Sequence, residues 1–147
     1  MSADISIIIA SRDRLWSLPK AVASCRSATL DIELIVVDDA SSDGTAEWLR
    51  TQPDVIMVQG GGWGKPWAVN RALSLATGTY LRYLDSDDWL NPGANEIQFR
   101  IAERERADIV VAGMDRYRDE MFIERMESAR IYLAPAVRTR PGAAGAI

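Results

Sequence analysis

Short β-branched runs alternating with helix-patterned stretches are the feature that most limits what this 147-residue chain can fold into. Ile5-Ser6-Ile7-Ile8-Ile9-Ala10 is a run suited to a strand buried on both faces, and it closes in the polar Ser11-Arg12-Asp13-Arg14. From Leu15 to about Ser27 the residues Leu15, Leu18, Val22 and Cys25 recur at helical spacing, with Pro19 acceptable in a first turn. Ile32 to Val37 is a second run, broken only by Glu33. It ends in Asp38-Asp39-Ala40-Ser41-Ser42-Asp43-Gly44-Thr45, small polar residues that turn and cap the chain into another helix. Val55 to Val58 predicts a third strand, Gly60-Gly61-Gly62 a loop, and Pro66 to Ala76 a helix with Gly78 just beyond it. Thr79 to Leu84 predicts a fourth strand, closed by Asp85-Ser86-Asp87-Asp88. Asn91-Pro92-Gly93 opens a helix to about Arg106, and Asp108 to Gly113 reads as a fifth strand.

This alternation predicts an α/β fold, an open and mainly parallel sheet with helices on both faces. Such sheets bind ligands in the crevice beyond the carboxyl ends of their strands. The clusters at residues 11–14, 38–43 and 85–88 all fall at those ends, so three loops distant in sequence are expected to converge. Met114 to Tyr132 mixes charges with apolar residues and reads as an antiparallel strand followed by a further strand or helix. Ala134 to Ile147 reads as an unstructured tail.

Composition removes several classes. A net charge of −4 argues against a nucleic-acid binder, which needs a basic face. With no histidine, imidazole bases and His-ligated metals are excluded, and carboxylates must do that work. The single cysteine, Cys25, permits no intrachain disulfide and fits a reducing, cytoplasmic setting, free or at the inner face of a membrane. No run approaches the roughly 18 apolar residues of a membrane span.

The acidic cluster carries the most chemistry. In an extended chain Asp85 and Asp87 point one way and Ser86 the other, and two carboxylates on one side suit a hard cation, Mg2+ or Mn2+. The same cluster is also a plausible cap for the following helix. Asp38-Asp39 offers acceptors for a base or ribose, or a turn and helix cap. The glycine-rich stretch before Lys65 fails both phosphate-loop patterns, because Gln59 and Pro66 stand where glycine and a hydroxyl are needed and Lys65 where a last glycine is needed. Lys65, one of two lysines, and Arg12 and Arg14 are available to a phosphate. Trp16, Trp48 and Trp67 lie in helical patterns that suggest packing, whereas Trp89 is placed to line a site.

Taken in order, residues 5–11, 33–45, Gly64-Lys65 with Asn70-Arg71-Ala72, and 76–88 resemble the family 2 inverting glycosyltransferases with a GT-A, Rossmann-like fold. The resemblance covers roughly residues 5–113. It implies a nucleoside-diphosphate sugar donor, usually a uridine one, and an acceptor, saccharide, lipid or protein, that the sequence does not name. By matching position, Ala10 and Ser11 look like the loop beside the base, with Arg12 next to it, and Asp39 like the base's hydrogen-bonding carboxylate. Asp85 looks like the residue near ribose and metal, Ser86 its neighbour at the nucleotide, Asp87 the direct metal ligand, and Lys65 a phosphate contact. Residues 1–113 are then a nucleotide-sugar-binding domain, and 114–147 a partial acceptor-side segment and flexible tail of a truncated fold. Family members generally carry an aromatic and an Asn after strand one, where this chain has Arg12-Asp13. The family's catalytic base lies well downstream of the acidic triplet; Asp115, Asp119 and Glu120 are available, but none stands in the matching context. The alternative expectation is a nucleotide-sugar-binding module without turnover.

Overall fold

The computed structural model describes residues 2–118 and 121–126. They fall into two compact units, the first ending at Glu96 and the second beginning at Ile97. The first holds β1 (Ile5–Ser11), α1 (Leu18–Cys25), β2 (Ile32–Asp38), α2 (Thr45–Leu49), β3 (Val55–Gln59), α3 (Lys65–Leu73) and β4 (Tyr80–Asp85). Helix α4 (Ala94–Glu105) begins in the first unit and runs into the second, which also holds an antiparallel pair, β5 (Met114–Arg118) and β6 (Met121–Met126).

The four strands of the first unit form one parallel sheet in the order β3-β2-β1-β4. The chain builds outward from β1 to β3, then returns to lay β4 on the free side of β1. Strand order therefore reverses between β1 and β4, where ligand crevices form in open sheets. The central strands are continuous β-branched runs because both faces are covered. Ile8, Ile35 and Val37 pack with Ala68 and Ala72 of α3, and Trp67, Val69 and Leu73 close around them. Ile7, Ile9 and Val36 point to the other face and are also fully buried. Helix α1 packs on β2 and buries Leu18, Ala21, Val22 and Cys25. Each fully buried Leu or Val contributes about 1.5–3 kcal/mol.

The amino-terminal end of the sheet is stapled by side chains. Glu33 accepts from the Thr77 N–H and hydroxyl, both at 2.8 Å, and from the Ser6 hydroxyl. Ser6 Oγ in turn accepts the Gly78 N–H at 2.8 Å. Gly78 has no room for a side chain, since a Cβ there would lie 2.4 Å from Ser6 N and 2.8 Å from Ile5 C.

Three expectations are corrected. The stretch 108–113 forms no strand beyond an isolated bridge at Ile109; Ile109 and Val111 stand exposed, and the ladder begins only at Met114. A β-branched run becomes a strand only where a neighbour completes its hydrogen bonds. Helix α1 starts at Leu18, not Leu15, so Trp16 sits in the preceding turn and is 73% exposed instead of packed. Residues 85–88 are not extended: the Asp88 N–H donates to the Asp85 carbonyl at 3.1 Å and closes a turn. The antiparallel strand expected after Gly113 is present as β5, paired with β6. The predicted tail at 134–147, with Asp119 and Glu120, lies outside the described residues.

Candidate functional site

Parallel register brings the strand ends into line. Ser11 pairs with Asp38 and Asp38 with Gln59, while Ala10 pairs with Asp85 across the β1/β4 crevice. The backbone pairing continues one step further, with Asp39 N–H on the Ser11 carbonyl and Gly60 N–H on the Asp38 carbonyl, both at 2.8 Å. The three polar clusters of the sequence are thus neighbours along one edge.

Hydrogen bonds lace the first two loops together. Asp13 N–H donates to Ser41 Oγ at 2.9 Å, Asp13 Oδ1 accepts Ser42 N–H at 2.7 Å, and Asp43 Oδ2 accepts Leu15 N–H at 2.8 Å. Hydrogen bonds from the Thr45 hydroxyl and the Leu15 N–H hold the Asp43 carboxyl below its ordinary range. Asp13 and Ala40 both adopt left-handed backbone, φ 51° and 62°. Aspartate tolerates this conformation, whereas alanine loses about 1 kcal/mol or more by adopting it. Strain of this kind is typical of functional edges.

Asp38 is fully buried and spent on structure, accepting from Ser41 N–H and Gln59 Nε2 at 3.3 and 3.1 Å. Asp39, the residue matched to base recognition, is also buried. Its Oδ1 accepts the N–H groups of Gly62 and Trp63 at 2.8 and 3.1 Å, and its Oδ2 that of Gly64 at 2.7 Å. Ser11 is 3% exposed and its hydroxyl has no partner among the described residues, an orphan donor at the crevice.

On the β4 side, Asp85 and Asp87 are about half exposed while Ser86 is buried. Exposure alternates as the sequence suggests, although a turn and not an extended chain produces it. The Ser86 carbonyl accepts the Ser17 hydroxyl at 2.9 Å, which ties this turn to the start of α1. The two carboxylates meet different cations: Lys65, from the start of α3, bonds to Asp85, and Arg14 Nε lies 4.0 Å from Asp87 Oδ2. Burial pushes the Asp88 carboxyl above its ordinary range, the charges of Asp87 and Asp85 add to this, and Lys65 opposes it. A cleft of about 160 Å3 opens here, lined by Ile8, Ala10, Lys65, Val69, Tyr83, Leu84 and Asp85.

Of the residues picked from the sequence, Ala10, Lys65 and Asp85 share this cleft. Ser11, Arg12, Asp39, Ser86 and Asp87 stand on the strand ends and loops along the same edge. Sequence reasoning missed Tyr83, although the period-two row Leu81-Tyr83-Asp85 places it on the cleft face. Trp89, expected to line the site, has its ring covered by the Lys20 ammonium at 3.5 Å. Cys25 is buried and its thiol is pushed up to about 11 by burial, so it is no nucleophile.

A mannosyltransferase from Pyrobaculum calidifontis solved with GDP-Man and Mn2+ has a similar fold, with a TM-score of 0.58 and 25% identity over 77% of this chain and 35% of that one. The Staphylococcus aureus TarS 1–349 structure in complex with UDP matches with a TM-score of 0.62 and 25% identity, over 74% of this chain and 34% of TarS 1–349. An Escherichia coli UDP-Glc:alpha-D-GlcNAc-diphosphoundecaprenol beta-1,3-glucosyltransferase, WfaP, is 35% identical over 106 residues, 68% of this chain and 42% of that protein. The chain spans about a third to two fifths of the length of these proteins. Residues 6–143, nearly the whole sequence, match the model of Glycosyl transferase family 2, and with a parallel α/β sheet whose acidic loops meet at the β1/β4 crevice the chain belongs to that family.

Proposed function

We propose that the carboxyl edge of this sheet binds a nucleoside-diphosphate sugar, uridine diphosphate in first place, for inverting transfer to a saccharide, lipid or protein acceptor. The observation that carries this reading is the convergence of Ala10, Lys65 and Asp85 on one cleft at the point where strand order reverses. The TarS complex with UDP and the mannosyltransferase complex with GDP-Man and Mn2+ support the ligand class. WfaP, named for a UDP-Glc donor and a diphosphoundecaprenol-linked acceptor, supports uridine and a lipid-linked acceptor; the inner face of a membrane is the setting proposed for such an acceptor. No helix among the described residues is long and apolar enough to cross one.

Asp85 and Asp87 fit a hard divalent cation, Mg2+ or Mn2+. Both carboxylates are half exposed, and they stand beside a third, Asp88, whose carboxyl is pushed above its ordinary range by burial first, with their charges adding to it. Among the described residues no group of three candidate ligands gathers; two carboxylates suit a cation that keeps positions for water and phosphate oxygens. Such a cation, when bound, stabilises negative charge on a leaving diphosphate. The residues of the chain do the rest. Lys65 and Arg14 lie within reach of the same carboxylates and can turn to phosphate, because exposed ion pairs hold them with only ~0–1 kcal/mol. Ser11 presents a hydroxyl without a partner among the described residues, Arg12 flanks it, and Ser86 fixes the turn that carries both acidic side chains. In the transfer, an acceptor oxygen bonds to the anomeric carbon as the carbon–diphosphate bond breaks, and the hydroxyl proton passes to a carboxylate base. Residues 1–113 form the donor part in this reading, and 114–147 belong to the acceptor side.

One observation favours binding without turnover. Asp115, the candidate base among the described residues, has both oxygens held by Arg125, at 2.7 and 3.0 Å. Calorimetry with UDP and Mn2+ tests the donor site: Asp87→Asn abolishes metal-dependent binding and leaves the melting temperature unchanged or higher, because carboxylate repulsion is relieved. Equal UDP affinity in wild type and variant would remove the metal assignment. UDP release from a panel of UDP-sugars then separates transfer from binding alone.

A further inference from the structure

The Asp39 carboxylate is the centre of a loop, with three of its roughly four acceptor sites taken by backbone N–H groups. Three consecutive N–H groups, of Gly62, Trp63 and Gly64, converge on its two oxygens at 2.7–3.1 Å. The approach is so close that a Cβ on Gly60 would lie 2.6 Å from Asp39 Oδ1 and 2.9 Å from Asp39 Cα. Gly64, the last residue gripped, is also the first acceptor of α3, taking the Ala68 N–H at 3.1 Å. The residue after it is Lys65, whose ammonium bonds to Asp85. One carboxylate at the end of β2 therefore sets where α3 begins, and the start of α3 sets where Lys65, the one cation among the described residues lining the cleft, stands.

We propose that Asp39 is a positioning residue: it acts on the donor site through the 60–64 loop, holding Lys65 against the acidic turn. This rests on the donor-site reading above. Hydrogen bonds from neutral donors to a carboxylate are stronger than those to a neutral amide, so removing the charge loosens all three contacts together. A residue that touched only the nucleotide would act through its own oxygens. A residue that acts through the loop is mimicked by any change that displaces the loop and leaves the carboxylate intact. Gly60→Ala keeps both carboxylate oxygens, while its Cβ, 2.6 Å from Asp39 Oδ1, forces the loop and the Asp39 side chain apart.

The test uses the full chain labelled with 5-fluorotryptophan. Trp63 lies in the gripped segment and is 67% exposed, so its 19F resonance, assigned by its loss in Trp63→Phe, reports the loop without any ligand. UDP affinity with Mn2+ is measured in wild type, Asp39→Asn, Gly60→Ala and the double variant, with melting temperatures as a check on folding. The expected result is that each single variant shifts or broadens the Trp63 resonance and lowers UDP affinity at least tenfold, and that the double variant is no worse than either single one. If one variant fails to fold, the other decides alone. The proposal is overturned if Gly60→Ala moves the Trp63 resonance at unchanged affinity, or if Asp39→Asn lowers affinity with the resonance in place. Both failures leave wild-type binding intact. A wild type that binds no nucleoside diphosphate defeats the donor-site reading itself.

Discussion

The two ends of the sheet spend their polar residues differently. At the amino end Glu33, Ser6, Thr77 and Gly78 satisfy one another over 2.8 Å bonds, and the N–H and hydroxyl groups they use are consumed within the fold. At the carboxyl end the backbone is strained at Ala40, a serine hydroxyl has no partner among the described residues, and two half-exposed carboxylates are met by exposed cations. The same strands supply both ends, so the contrast is not one of fold. Closed polar networks at one end stabilise the sheet, and unfinished ones at the other leave groups for a ligand to complete.

The largest way to break this contrast is at Gly78. A Cβ there meets backbone atoms of β1, which cannot give way as a side-chain tip would. Gly78→Ala is expected to cost about 3 kcal/mol in urea unfolding. The folded fraction should bind UDP as wild type does; a parallel loss of intrinsic affinity would show that the two ends are not separable.

Glu33 sharpens the comparison. Burial raises its proton affinity, but hydrogen bonds from Ser6 and Thr77 outweigh this, and its carboxyl lies below the ordinary value of 4.5. A lowered native value means the contribution is present above the unfolded value and disappears as pH falls through the native one. Acid unfolding curves should therefore show stability falling below about pH 4.5, where this group starts to take up its proton in the unfolded chain but not yet in the fold. Glu33→Gln should cost about 1–2 kcal/mol at neutral pH and flatten that acid limb. An unchanged limb would mean the staple contributes nothing.

The smallest effect is at the opposite end. Ala40→Gly relieves a left-handed alanine but loosens the unfolded chain, leaving a net gain of about 0.5 kcal/mol. A loss in thermal melts would show that the Ala40 methyl packs usefully in the loop it faces.

What was legible beforehand follows the same division. Strands β1 and β2 were visible because near-continuous β-branched runs are what two-sided burial requires, β3 and β4 as short apolar segments between turn residues, and the acidic ends of β2 and β4 because polar clusters must stop a strand. The α/β class and the convergence of three loops followed from that alternation. Partners across the fold were not visible. The donors to Asp39 lie 23–25 residues away, and those to Glu33 include Thr77, 44 residues on, so they depend on how strands return and not on local spacing. Strand five failed for the converse reason: Asp108 to Gly113 has the composition of a strand, but composition does not supply a neighbour to pair with. Trp16 misled because its helical spacing continued into a turn that the helix does not include.

The central claim is that the ligand end of this sheet is its carboxyl edge. Amide chemical shifts followed during titration with UDP and Mg2+ test it most directly. The account predicts shifts concentrated at Ser11, Asp39, Gly62, Lys65 and Ser86, abolished in Asp87→Asn, with Thr77 and Gly78 undisturbed. Shifts centred on Thr77 and Gly78, or no shifts at all, would contradict it.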